Sequence, residues 1–249
     1  VIKFERQQFI LEQLGAKASV ALRDLVAQTG ATRLTIQRDL FELETQHKLK
    51  RVHGGATALP QLPQGLPQSF RQQQNTDAKR RLCRHAASLL ENGDAIGIDA
   101  STTCFFIGDY VAERLLNAVT VSHDTFVGLS RNVNVTAFLS GGTYNARTQT
   151  ISGSYAVEFI RRFAFAKCFI SADALSERGS LDWDADDSAV KRAMIECSQS
   201  VYLLFDSSKF EQSNGLLTCA PERITAIISD APAPGHWPLQ LQRKTIVAV

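Results

Sequence analysis

A chain of 249 residues has room for one small and one medium domain, each with its own core. With 44% hydrophobic and 21% charged residues it is not disordered throughout, and a net charge of only +2 does not by itself mark a nucleic-acid binder. No apolar run approaches a membrane span, no signal-peptide pattern opens the chain, and Cys83, Cys104, Cys168, Cys197 and Cys219 form no C-x-x-C pair, which argues against a disulfide frame or zinc site and for a cytoplasmic protein without metal or cofactor.

The chain opens at Val1 without an initiating Met, so at least one residue is expected before it. Phe9, Ile10 and Leu14 predict a helix over Glu5 to Leu14, and Leu22, Leu25 and Val26 predict a second over Leu22 to Ala27, with Gly30 as the turn that follows. Thr32 can cap a third helix, in which Ile36, Leu40 and Leu43 fall on one side at the spacing of a core-facing stripe. Leu49 to Val52 then reads as a strand and Gly54-Gly55 as a turn. Helix, helix, turn, helix and basic ribbon is the layout of a winged helix-turn-helix.

In that layout Arg33, Gln37 and Arg38 point away from the core, with Thr32 and Thr35 beside them, and their guanidinium and amide groups suit phosphates, guanine edges and adenine edges. Lys48, Lys50, Arg51 and His53 lie on the ribbon, placed to grip flanking phosphates. The alternatives are a solvated helix face and a helical protein-interaction module. Charge favours double-stranded DNA, because residues 1–58 hold nine Lys and Arg against six Asp and Glu.

Residues 59–77 read as a linker, since Pro60, Pro63 and Pro67 recur among glutamines and block regular hydrogen bonding. A helix is expected over Ala78 to Leu90, where Arg80, Arg81 and Arg84 read as a solvated face, and it leads into a domain over residues 78–249. Short apolar runs then end in polar residues: Ala95 to Ile98 before Asp99, Ser101, Thr102 and Thr103; Val119 to Val121 before Ser122, His123 and Asp124. Val135 to Leu139 precedes Ser140, Gly141, Gly142 and Thr143; Cys168 to Ile170 precedes Ser171 and Asp173; Val201 to Phe205 precedes Asp206, Ser208 and Lys209. Such runs, separated by helices, predict an α/β domain whose mostly parallel sheet is covered on both faces.

Ligands of such sheets bind beyond the carboxyl ends of the strands, where these residues collect. A helix expected over Cys104 to Leu116 would offer its first amides to an anion together with Ser101, Thr102 and Thr103, and Lys209 supplies a counter-charge. Asp99, Asp124 and Asp173 offer acceptors for sugar hydroxyls, and Gly141 and Gly142 allow close backbone approach. Asp184, Asp186 and Asp187, before Lys191, are either a further edge of the site or an acidic opening of a helix.

RQQFILEQL, TIQRDLFELE and LKRVHGGA resemble the amino-terminal signature of the DeoR family of bacterial sugar-responsive transcriptional regulators, except that Gln37 stands where arginine is common, which bears on the bases preferred. IDASTT, SGGTY, the stretch from Gly179 to Met194 with VKRAM, and FDSSKF resemble the family's carboxy-terminal sensor domain, with His123 where Asn is frequent. The resemblance implies a fold similar to ribose-5-phosphate isomerase and the coenzyme A transferases. It also implies an effector pocket at Asp99 to Thr103, Ser140 to Thr143, Lys191 and Lys209. The expected protein is therefore no enzyme but a homo-oligomeric repressor of a sugar catabolic operon, dimer or tetramer, whose grip on operator DNA a phosphorylated sugar modulates. The alternative is a sugar-phosphate isomerase with a helical appendage, in which Asp173 and a lysine would move protons.

Overall fold

In a computed structural model the structure describes residues 2–17, 19–45, 49–57, 68–210, 212 and 214–248. The chain divides into two compact units, Val1–Pro67 and Gln68–Val249. The first contains α1 (Lys3–Lys17), β1 (Ser19–Ala21), α2 (Leu22–Thr29), α3 (Arg33–Thr45), β2 (Lys50–Val52) and β3 (Gly55–Thr57), with the strands in antiparallel order β1-β3-β2. Ile10, Leu14, Leu22, Leu25, Ile36, Leu40 and Leu43 are buried together, so the expected stripe of α3 is the face that makes the core. Gly54 takes φ +82 in the turn of the β2–β3 hairpin, and a Cβ on Gly55 would meet the Val20 carbonyl oxygen at 2.0 Å, which is why the wing turns on two glycines.

The second unit runs α4 (Gln68–Gln73), α5 (Thr76–Ser88), β4 (Ala95–Ile98), a 3-10 helix (Cys104–Tyr110), β5 (Leu116–Thr120), α6 (His123–Ser130), β6 (Val135–Leu139), β7 (Thr143–Asn145), β8 (Thr150–Ser152) and α7 (Ser154–Ile160). It continues through β9 (Phe165–Ile170), β10 (Ala174–Ser176), β11 (Gly179–Asp182), α8 (Ala185–Glu196), β12 (Ser198–Leu204), β13 (Leu216–Cys219), β14 (Ala226–Ser229), α9 (Leu239–Lys244) and β15 (Thr245–Val247). Seven of these strands form one parallel sheet in the order β15-β14-β12-β9-β4-β5-β6. Chain order reverses between β4 and β9, and a crevice opens at such a switch point. On one face Ile96 and Ile98 pack with Leu82, Cys83 and Ile107; on the other Val119 and Phe165 pack with Ala156, Ile160, Val190 and Met194. Among the described residues no helix is long and apolar enough to cross a membrane.

Two expectations are corrected and one open alternative is resolved. Residues 59–67 lie outside the described residues, but Gln68 to Asp77, expected as linker, forms α4 and the start of α5 and belongs to the second unit, which begins at Gln68 and not at residue 78. The prolines mark only what precedes it. The helix over Cys104 to Leu116 is a 3-10 helix ending at Tyr110. Side-chain amides take the backbone groups a longer helix would need: Leu115 N donates to Asn92 Oδ1 at 3.0 Å, and Asn134 Nδ2 donates to the Ala112 carbonyl at 2.9 Å. The acidic run opens α8, with Asp184 Oδ1 accepting from the Asp186 and Asp187 amides at 2.9 Å each, so its carboxylate is a helix cap.

Candidate functional site

In the first unit α3 is anchored at its start by Thr32, whose hydroxyl accepts from the Thr35 amide at 3.2 Å and lies 2.8 Å from the Thr35 hydroxyl. With Ile36, Leu40 and Leu43 inside, Arg33, Gln37 and Arg38 are exposed on the helix, and Lys50, Arg51 and His53 are exposed on the hairpin; Lys48 lies outside the described residues. Arg51 is committed within the unit. Its Nε donates to Glu44 Oε2 at 2.8 Å and its backbone amide to Glu44 Oε1 at 2.9 Å, which together hold the Glu44 carboxyl below its usual range. A residue that sequence reasoning missed fixes the helix from beneath: buried Asp39 accepts from Arg6 Nε at 2.5 Å and from the Arg6 Nη2 at 3.2 Å, tying α3 to α1.

In the second unit Asp99 ties the loop after β4 to the loop after β9. This carboxylate is 0% exposed; Oδ1 accepts from the Ser101 amide at 3.0 Å and Oδ2 from the Ser171 amide at 2.8 Å. It thus joins the two strand-end loops and does not face outward as the sugar acceptor expected of it. Lys191 is likewise turned inward, donating to Asp182 Oδ1 at 2.6 Å and the Ser171 carbonyl at 3.0 Å, with Asp187 at 3.1 Å and Asp99 at 3.6 Å. Burial alone would lower the Lys191 pKa, but Asp182, Asp187 and Asp99 hold it well above its ordinary value. Its charge is neutralised inside the protein.

Around these two loops cations and hydroxyls converge. Lys79, from α5, is 3% exposed and donates to Thr102 Oγ1 at 3.1 Å and to the Arg71 carbonyl. Lys209 donates to the Ala172 carbonyl at 2.8 Å and to Ser171 Oγ at 3.3 Å, and Ser171 Oγ reaches Thr103 Oγ1 at 3.4 Å. Burial pushes Lys79 down to about 8, the charges of Lys209 and Arg71 adding to the effect against Asp206. Ser101 Oγ accepts from the Cys104 amide at 3.1 Å and so caps the 3-10 helix. Asp173 sits at the rim, accepting from the Trp183 amide at 3.2 Å with Arg71 Nη1 at 3.7 Å.

On α4, Gln68 Nε2 donates to the Ala100 carbonyl at 3.2 Å, while Gln68 Oε1 and Arg71 Nε are buried without a hydrogen-bond partner among the described residues. Buried polar atoms left this way are rare in folded proteins and point to a water or ligand. Asp99, Ser101, Thr102, Thr103, Asp173, Lys191 and Lys209 are therefore joined, through Ser171, Lys79 and Arg71, in one network of hydrogen bonds and ion pairs. His123 and Asp124, paired at 3.2 Å, open α6, and exposed Gly141, Gly142 and Thr143 lead from β6 into β7; no hydrogen bond found among the described residues joins them to that group. Gln68, Arg71 and Lys79 were missed because α4 hides in a proline- and glutamine-rich stretch and Lys79 reads as a solvated lysine; the lone cation beside Ala78 on the inner side of an amphipathic helix was the available signal.

The model of the DeoR-like helix-turn-helix domain matches residues 6–61, and that of the DeoR C terminal sensor domain matches residues 74–231. The chain belongs to the DeoR family. Among DeoR relatives, the glycerol-3-phosphate regulon repressor of Escherichia coli is 31% identical over 241 residues, covering 92% of each chain. The L-fucose operon activator of Haemophilus influenzae is 27% identical over 246 residues, covering 98% of each. Of solved structures, ribose 5 phosphate isomerase A from Neisseria gonorrhoeae matches with TM-score 0.37 and 17% identity over 53% of this chain and 52% of its own. As a DeoR-family member the chain is a DNA-binding transcriptional regulator and not an enzyme, which sets the isomerase alternative aside.

Proposed function

We propose that this DeoR regulator represses a sugar catabolic operon and that a phosphorylated sugar held in the β4–β9 crevice weakens its grip on the operator. The observation that carries the reading is the convergence of Lys79, Lys209 and Arg71 with the hydroxyls of Thr102 and Ser171 at the switch point of a parallel sheet. Mutual repulsion among these cations is relieved by an anion, while Asp173 offers an acceptor to sugar hydroxyls at the rim. The glycerol-3-phosphate regulon repressor among its relatives supports the sign, which the L-fucose operon activator carries reversed. His123, Asp124 and the Gly141 to Thr143 loop form the far wall, and Asp99 and Lys191 act as its scaffold.

Operator reading falls to Arg33, Gln37 and Arg38 on α3, with Thr32 and Thr35 at its start and Lys50, Arg51 and His53 on the wing; Lys48 is assigned to the wing from sequence alone. The protein acts in the cytoplasm as a homo-oligomer, dimer or tetramer, so that two such helices span two half-sites. The sugar phosphate acts by preferring the arrangement that cannot do so. Moving the DNA-competent fraction from nearly all to nearly none takes about 5.5 kcal/mol of differential binding. The test is a pair of variants on a selected operator duplex with a panel of sugar phosphates. Arg38→Ala is expected to cost about 1–3 kcal/mol of operator affinity and to keep the ligand's thermal shift, whereas Lys209→Ala keeps operator affinity and loses the shift. Loss of both properties in both folded variants would refute this division.

A further inference from the structure

The outer face of α3 carries more than polar groups. Leu34, Gln37, Arg38 and Phe41 stand at i, i+3, i+4 and i+7 and line one recess, opposite the buried stripe of Ile36, Leu40 and Leu43. Leu34 is 76% exposed in the first turn of the helix, flanked by exposed Arg33, Gln37 and Arg38. Nothing in the core explains a branched apolar side chain there. The cations around it disfavour an apolar protein partner and fit a polyanion, so the surface is matched to nucleic acid as a whole.

A major groove presents one apolar group, the C5-methyl of thymine, and the amino-terminal residues of a recognition helix are those that meet base edges. From Leu34 to Phe41 the helix advances about 10 Å at 1.5 Å per residue, roughly three base-pair steps. We propose that Leu34 reads a thymine in the operator by packing on its 5-methyl group, beside the base edge contacted by Gln37 or Arg38. This inference rests on the DNA-binding role of α3 and adds a specificity-determining residue to it. Phe41 at the other end is not equivalent, since the Arg51 guanidinium of the wing lies 5.2 Å from its ring centroid.

The full-length protein is used to select a site from a random duplex library, and each thymine of that site is then replaced singly by deoxyuridine, which removes the methyl and keeps the base pair. Wild type is expected to lose about fourfold in affinity at one thymine, the worth of one buried methyl. Leu34→Ala should be indifferent to that replacement with an unchanged salt dependence, and Leu34→Met should regain the sensitivity. Equal uracil penalties in wild type and Leu34→Ala, or a selected site with no methyl-sensitive thymine, overturn the proposal. A folded protein that selects no duplex overturns it together with the DNA-binding role itself.

Discussion

Lys79 keeps an ammonium group 3% exposed within the field of two other cations, and its proton is correspondingly loose. Its pKa in the fold, about 8, lies below the 10.5 of an ordinary lysine. Between those values the unfolded chain keeps a proton that the native chain has released, so stability rises with pH across that window, and below it the full penalty is present. Lys79→Met is therefore expected to stabilise the ligand-free protein at pH 7, by roughly 1–4 kcal/mol for exchanging a buried charge for an apolar side chain. The same variant should lose the stabilisation conferred by a sugar phosphate. Calorimetric melting at pH 7 and pH 10 checks this, and a variant that melts below wild type at pH 7 would contradict it. Lys191 is the opposite case, because three carboxylates surround it. Sequence shows two lysines of the same chemistry; only packing tells that one is neutralised and the other is not.

At the scale of the element, α3 was legible because its apolar spacing and its cap are local. Ile36, Leu40 and Leu43 pack inward and Thr32 accepts from the Thr35 amide, as their spacing implies. What spacing could not show is that Asp39 is buried against Arg6, a contact between residues far apart in the chain. The pair fixes α3 on α1, and replacing Asp39 with Ala removes the ion pair and both hydrogen bonds that join them there. Asp39→Ala is expected to destabilise the first unit by roughly 3 kcal/mol. Hydrogen exchange should speed up in α1 and α3 while strands β4 and β9 stay protected, and uniform acceleration across both units would count against the assignment. The same locality explains the failure at Cys104 to Leu116, where Asn92 and Asn134, distant in sequence, take over the backbone groups.

For the whole molecule, the apolar runs at Ala95, Val135, Cys168 and Val201 disclosed the sheet, while strands of three residues such as β7, β10 and β15 carry too little pattern to be seen. The polar network at the ends of β4 and β9 was legible from its strand-end loops, and the part that α4 and α5 contribute to it was not. In the proposed site Lys79, on α5, makes effector binding depend on pH. A phosphate monoester has its second pKa near 6, so above pH 8 the ligand no longer titrates. Near Lys79, burial holds the Cys83 thiol far above this range; although burial opposes it, Lys209 helps to hold the Asp206 carboxyl below its ordinary value. Ligand that contacts the Lys79 ammonium must restore its proton, so its apparent affinity falls as pH rises through about 8, with a slope that approaches about tenfold per pH unit above it. The sugar phosphate needed to release half of a labelled operator is thus expected to rise about fivefold from pH 8 to pH 9 and about ninefold more from pH 9 to pH 10, as read by fluorescence anisotropy, with operator affinity in its absence changing far less. A Lys79→Met protein that still responds, with the same slope, would place both the proton and the phosphate elsewhere.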